Sequence, residues 1–169
     1  PAGGDAAVIP VRPARAEEAD AAAALINAIN SLDGGAPAVP MTAAIVARDL
    51  LGPAPRAILL VTEADGALAG FITSGLIYDA GRAADAMMLL DLYVAPAARR
   101  RGHGRALVAG LAAEARRRGA ACPWWGVDDG DDGALAFYRA IGAAVAEHFT
   151  GMILAGPALG RLAAEGSAA

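Results

Sequence analysis

The sequence predicts an α/β fold, a mixed and mostly antiparallel sheet with helices packed on it and one right-handed β-α-β crossover. Three observations carry this. Strand-like segments follow one another through short turns, Asp65-Gly66 and Tyr78 to Arg82, as in antiparallel hairpins. Segments with apolar residues three and four apart precede and follow those strands, which is the helical period. Between an apolar strand and the helix after it lies R-R-R-G-H-G, Arg99 to Gly104, a tight turn with glycine at two alternate positions.

In order, Val8 to Arg12 reads as a short strand, and Ala16 to Ile29 as a helix with Leu25, Ile26 and Ile29 on its inner face. Asn30 to Pro40 is rich in turn formers and is expected to be an exposed loop. Thr42 suits the N-cap of a second helix running to about Leu51, and Gly52-Pro53 ends it. Ala57 to Glu63, Ala67 to Tyr78 and Ala86 to Ala95 are strand-like. Leu107, Val108, Leu111 and Ala115 mark the buried face of a helix over Arg105 to Arg118, with Gly119 as a C-cap. Pro123 to Val127 reads as a strand. The acidic loop Asp128 to Asp132 precedes a helix carrying Leu135, Tyr138 and Ile141 and ending at Gly142. Ala144 to Leu154 is expected to be the last strand and Pro157 to Ala164 a short terminal helix.

Composition limits the function classes. The 169 residues suit one domain, 1–169, with a single substantial core. The hydrophobic fraction of 56% is high, but much of it is alanine. No apolar stretch approaches the roughly 20 residues of a membrane span, so a soluble protein with no membrane partner is expected. The first ten residues lack the basic and long apolar regions of a secretory signal. One cysteine, Cys122, has no partner for a disulfide or a thiolate metal site, which fits a reducing cytoplasm and no metal. A net charge of −4 argues against nucleic acid as a partner.

The arginines are nevertheless clustered. Arg116 to Arg118 stand at a helix C-terminus, where the dipole favours cations. Arg99, Arg100, Arg101 and Arg105 stand at the opposite, N-terminal end, where it does not. Free backbone N–H groups, glycines that let a ligand approach and permanent cations together suit a phosphate compound.

Three blocks now carry a resemblance: L-D-L-Y-V-A-P-A-A-R-R-R-G-H-G-R-A-L-V, then W-W-G-V, then D-D-G-A-L-A-F-Y-R-A-I-G-A. In order and spacing they resemble the GNAT superfamily of N-acetyltransferases, whose signature of Arg or Gln, two residues, Gly, one residue, Gly or Ala falls on Arg99, Gly102 and Gly104. The pieces Y-D-A-G-R, L-L-D-L-Y-V and F-Y-R-A-I-G-A look most like the diamine and polyamine N-acetyltransferase group. The resemblance implies a six- to seven-stranded sheet flanked by four helices, with two central parallel strands splayed apart. It also implies acetyl-CoA as co-substrate and a homodimer. Its pyrophosphate would lie on the segment Arg99, Arg100, Arg101, Gly102, His103, Gly104 and Arg105, chiefly on backbone N–H groups. Its pantetheine arm would pair with the backbone of Leu92, Tyr93 and Val94 as an added strand.

By the same resemblance Tyr138 donates a proton to the departing CoA thiolate. Periodicity alone would make it a tyrosine packed on the sheet. Asp131 and Ala134 fall on the segment that meets CoA in the family, where Asp131 replaces the usual asparagine; it equally suits a helix N-cap. Asp91 lies in an apolar strand, and alternation places it on the face of Leu89 and Tyr93. A carboxylate there is a candidate for holding a cationic amine or relaying its proton, or else is a structural hydrogen-bond partner. Asp33 and Trp125 are further substrate candidates. The polyamine enzymes often carry glutamate where this chain has Leu90, a departure that weighs against a polyamine substrate. Asp79 and Glu147 read as solvated surface charges, His148 as structural, and the His103 side chain is expected to face solvent. The expected activity is acetyl transfer from acetyl-CoA to a primary amine of a small molecule, polyamine-like or amino-acid-like, by direct attack in a ternary complex. A catalytically silent acyl-CoA-binding domain and a protein or peptide N-acetyltransferase are the alternatives.

Overall fold

The computed structural model describes residues 8–32, 34–37 and 39–166. They fall into two compact units, 1–127 and 128–169, each taken by itself below.

The first unit holds a five-stranded sheet in the order β1-β2-β3-β4-β5. β1 is Val11–Pro13, β2 Ile58–Ala64, β3 Ala67–Asp79, β4 Ala84–Val94 and β5 Pro123–Trp124. The first four strands pair antiparallel, and β5 is parallel to β4. The β2–β3 turn, Asp65-Gly66, has φ of 54° and 80°, the double left-handed geometry that matches strand twist in a two-residue hairpin. At the β3–β4 turn, Asp79 Oδ1 accepts from the N–H of Gly81 at 2.9 Å and Arg82 at 3.2 Å, so Asp79 serves the turn.

Helices cover both faces. α1 (Ala19–Ile29) follows a 3₁₀ turn at Ala16–Glu18, and α2 (Ala43–Asp49) is capped by Thr42 Oγ1, which accepts from the Ile45 N–H at 3.3 Å. Ala22, Ala23 and Ile26 of α1 and Val46 of α2 enclose Leu59, Val61, Phe71 and Tyr93 in one core. Leu25 and Ile29 are only partly buried at its margin; small alanines, not the larger aliphatics, let α1 approach the sheet. α3 (His103–Arg117) lies on the other face and buries Leu107, Leu111 and Ala115.

One irregularity decides where side chains point. The β3–β4 register shifts between Thr73 and Ser74, so Thr73 faces Asp91 whereas Ser74 faces Leu89, leaving Leu90 as an extra residue. Cross-strand partners share a face, and Thr73 and Ser74 face opposite ways. Asp91 therefore shares a face with Tyr93 but not with Leu89, which corrects the simple alternation. Leu90 is left 56% exposed. Ser74 is fully buried, and among the described residues its hydroxyl has no hydrogen-bond partner.

The second unit contains α4 (Asp132–Ala140) and α5 (Gly156–Gly166). The expected strand over Ala144 to Leu154 is absent among the described residues, and β5 stops at Trp124 rather than Val127. Among the described residues the sheet thus has five strands, not six or seven, and there are five helices rather than four. Val145, Phe149, Met152 and Ile153 have strand-forming side chains, but all are exposed. A strand needs a partner ladder as well as a β-prone sequence.

Candidate active site

The turn after β4 has an unusual backbone. Pro96–Ala98 forms one 3₁₀ turn, Arg100 takes φ of 61°, and Gly102, the residue capping α3, takes φ of 93°. That conformation at Gly102 is open to glycine and strained for other residues. The Ala106 N–H makes the first bond of α3, to Gly102 O at 3.0 Å. The N–H groups of His103, Gly104 and Arg105 therefore precede any i−4 carbonyl of the helix, and they carry the positive end of a four-turn dipole.

The arginines divide. Arg99 folds back on the end of β4, its Nε donating to Val94 O at 2.9 Å and its guanidinium 5.7 Å from the centre of the Tyr93 ring. Arg101 makes one long exposed contact, 3.4 Å, with Asp65. Among the described residues Arg100 and Arg105 have no carboxylate partner. Two uncompensated cations beside a helix N-terminus repel the dipole, an arrangement an anion relieves.

His103 departs from expectation. It is 5% exposed rather than solvent-facing, and its Nδ1 lies 3.1 Å from the hydroxyl of Thr62, itself 1% exposed. Sequence reasoning missed this partner, which stands 41 positions away on β2.

Next to this turn one edge of β4 is open. β5 pairs with β4 only at Met87–Pro123 and Met88–Trp124, with Met87 N–H also donating to Cys122 O at 2.9 Å. From Leu89 to Val94 no strand pairs with that edge among the described residues. β5 ends at Trp124 and leaves the rest of this edge uncovered, and Leu92, Tyr93 and Val94 stand on the open stretch. Asp91 is half-buried on the face that α1 and α2 cover, and the Thr73 hydroxyl donates to its Oδ2 in a short hydrogen bond. Thr73 was not anticipated either; its signal, a threonine opposite an aspartate, depends on the bulge register. Trp125 is half-buried just past β5, Cys122 is a free and half-buried thiol, and Asp33 lies outside the described residues.

In the second unit, Asp131 caps α4, its Oδ1 accepting from the Ala134 N–H at 2.8 Å. Tyr138 lies two turns on, half-buried, its ring 5.0 Å from that of Phe137. Burial, and secondarily the negative charge of Asp131, raise the Tyr138 phenol above its ordinary range, so it keeps its proton at neutral pH. Glu147 and His148 are exposed. A groove of about 560 Å³ beside Leu50, Leu51 and Ile58 lies at the far end of α3 from the glycine turn. Its charged groups, Glu114 with Arg117 and Arg118, satisfy one another. Among the described residues no group of three His, Cys, Asp or Glu side chains could hold a metal, and no helix is long and apolar enough to cross a membrane.

The sequence matches the family model of the acetyltransferase (GNAT) family over residues 31–143, from the loop after α1 through the end of α4. The chain belongs to the GNAT acetyltransferase family. GNAT enzymes use acetyl-CoA as co-substrate. No curated protein matches the chain. Solved structures resemble its GNAT fold. An integron cassette protein from the mobile metagenome of Vibrio cholerae has a TM-score of 0.74 at 19% identity, covering 92% of this chain and 98% of its own. An aminoglycoside acetyltransferase from an uncultured soil metagenomic sample, in complex with sisomicin, has a TM-score of 0.69 at 15% identity, with coverage of 86% and 95%. A ribosomal-protein-alanine N-acetyltransferase from Brucella melitensis has a TM-score of 0.69 at 20% identity, with coverage of 86% and 98%. These identities establish a shared fold and leave the acceptor of this GNAT protein open.

Proposed function

We propose that the chain, acting as one domain over 1–169, transfers an acetyl group from acetyl-CoA to a primary amine of a small molecule by direct attack in a ternary complex. The observation that carries this is the open β4 edge leading straight into the α3 turn with its free N–H groups and unpaired Arg100 and Arg105. An extended arm ending in a pyrophosphate matches both parts: the arm adds to the strand edge, and the anion meets the helix N-terminus.

In this reading the neutral amine nitrogen attacks the thioester carbonyl, the C–S bond breaks, the CoA thiolate takes the proton of Tyr138, and the proton the nitrogen sheds passes to solvent, from which the Tyr138 phenolate is reprotonated. Burial holds the Tyr138 phenol in its protonated form at neutral pH, so a proton is present on it when the thiolate departs. Asp91, held by Thr73, would bind the incoming ammonium or relay its proton. Cys122 has no assigned role in an acyl-enzyme step.

The acceptor is taken to be a small amine, polyamine-like or amino-acid-like. Leu90, exposed on the bulge beside Asp91, supplies no second carboxylate for a polycation. The structural neighbours that act on aminoglycosides and on ribosomal-protein alanine set the other arms of the test. CoA release is followed over polyamines, amino acids, aminoglycosides and N-terminal peptides, with wild type and Tyr138→Phe. Turnover on a small amine with a loss of about 10²- to 10⁴-fold in kcat for Tyr138→Phe, at an unchanged affinity for CoA, is the expected result. CoA binding with no turnover on any amine would replace it with a silent acyl-CoA-binding domain, and turnover on peptides alone with a protein acetyltransferase.

A further inference from the structure

We infer that the Thr62–His103 hydrogen bond is a positioning device that sets the anion-binding turn against the open strand edge, a role that rests on the acetyl-CoA reading above. His103 is the first residue of α3, and its ring is inside the protein, not at the surface. Thr62, its partner at 3.1 Å, belongs to β2 and lies in a row across the sheet: Val11, Thr62, Gly70 and Val94 are successive cross-strand partners. Val94 ends β4, and its carbonyl accepts from Arg99. The row therefore reaches from the tether to the last residue of the open edge. Gly70 completes the fit: a Cβ there would lie 2.6 Å from Tyr93 O and 3.3 Å from Leu107 Cδ1, so its lack of a side chain lets β4 and α3 close on β3.

The arrangement is more than a filled core. A buried polar pair gives little net stability over an apolar pair of the same shape, but it is directional. An aliphatic residue at 103 would bury as well and leave the first turn of α3 free to slide on the sheet. A hydrogen bond from its first residue holds the N–H groups of His103, Gly104 and Arg105 at a set distance from Leu92 to Val94. A ligand whose strand-pairing arm and anion are joined by a fixed linker needs that distance kept.

The test separates positioning from folding by using two acyl donors. Acetyl-CoA engages both the strand edge and the helix turn, whereas S-acetylpantetheine has no pyrophosphate and engages only the edge. Thr62→Val removes the hydroxyl at constant shape, and Thr62→Ser restores it. Thr62→Val is expected to raise KM for acetyl-CoA and Kd for CoA about three- to tenfold, the size of one lost hydrogen bond, with kcat within about twofold. Kinetics with S-acetylpantetheine stay at the wild-type level, and Thr62→Ser recovers affinity for CoA. If Thr62→Val loses activity equally with both donors, or binds CoA as wild type does, the inference is overturned while the donor reading stands. Wild-type protein that binds no CoA overturns both.

Discussion

Replacing Gly102 by alanine should cost stability and CoA affinity, whereas the same change at Gly119 should cost stability alone. Both glycines have positive φ, 93° at the start of α3 and 75° just past its end. An L-residue in that region carries roughly 1–2 kcal/mol of strain. For a chain of this length each kcal/mol lowers Tm by about 2–4 °C, so each variant should melt about 2–8 °C below wild type. Contacts alter this little. A Cβ at Gly119 has nothing within 4 Å, and one at Gly102 would lie 3.3 Å from Ile9 Cδ1, the tip of a side chain able to turn away. The difference lies in what strain relief moves. At Gly102 the backbone relaxes by rotating the N–H groups of the next three residues, and a re-aimed donor set loses an anion. A tenfold weakening of CoA binding, ~1.4 kcal/mol, is the expected scale. Thermal melts and calorimetric titration with CoA measure the two effects separately. Equal CoA affinity in both variants, with the melting loss present in both, would refute the assignment of the turn as the pyrophosphate site.

Two further changes test the electrostatics. Asp131→Asn keeps an N-cap acceptor for the Ala134 N–H but removes the charge that helps hold the Tyr138 phenol up, so the alkaline limb of the kcat profile should move to lower pH at nearly unchanged Tm; a limb that stays in place contradicts the role of Tyr138. Glu114 accepts from Arg117 and Arg118, each at 2.6 Å, and the Arg117 hydrogen bond above all pulls its carboxyl from the ordinary 4.5 down to about 2. Because the folded value is the lower one, this pair stabilises above pH 4.5 and its contribution is lost as pH falls towards 2. Glu114→Gln should therefore be about 0.5–1 kcal/mol less stable in denaturant at pH 7, with the gap closing on acidification; a gap independent of pH counts against the pair.

What the sequence made legible was what the backbone does locally. The Asp65-Gly66 hairpin, the Thr42 and Asp131 caps and the glycine turn before α3 each depend on residues within four positions of one another, and each stands where the residues place it. The misreadings share a different cause. Asp91 changed faces relative to Leu89 because of one extra residue, Leu90, whose presence is set by the register with β3 and leaves no mark on the alternation. His103 was expected outside because a histidine between glycines in an arginine-rich turn reads as polar surface. Its burial depends on a threonine hydroxyl on β2 that no local pattern announces. Ala144 to Leu154 has strand composition but no ladder, since pairing is a property of two segments and periodicity describes one. The same division runs through the site. A donor grip made of backbone N–H groups and an open strand edge can be read from glycines, a helix start and a strand end, because those features are local. The acceptor site proposed above is made of side chains, Asp91, Thr73 and Leu90, whose juxtaposition one bulge decides. Under that proposal substrate choice turns on register, and a change that removed the bulge would swap the faces of Leu89 and the residues before it relative to Asp91.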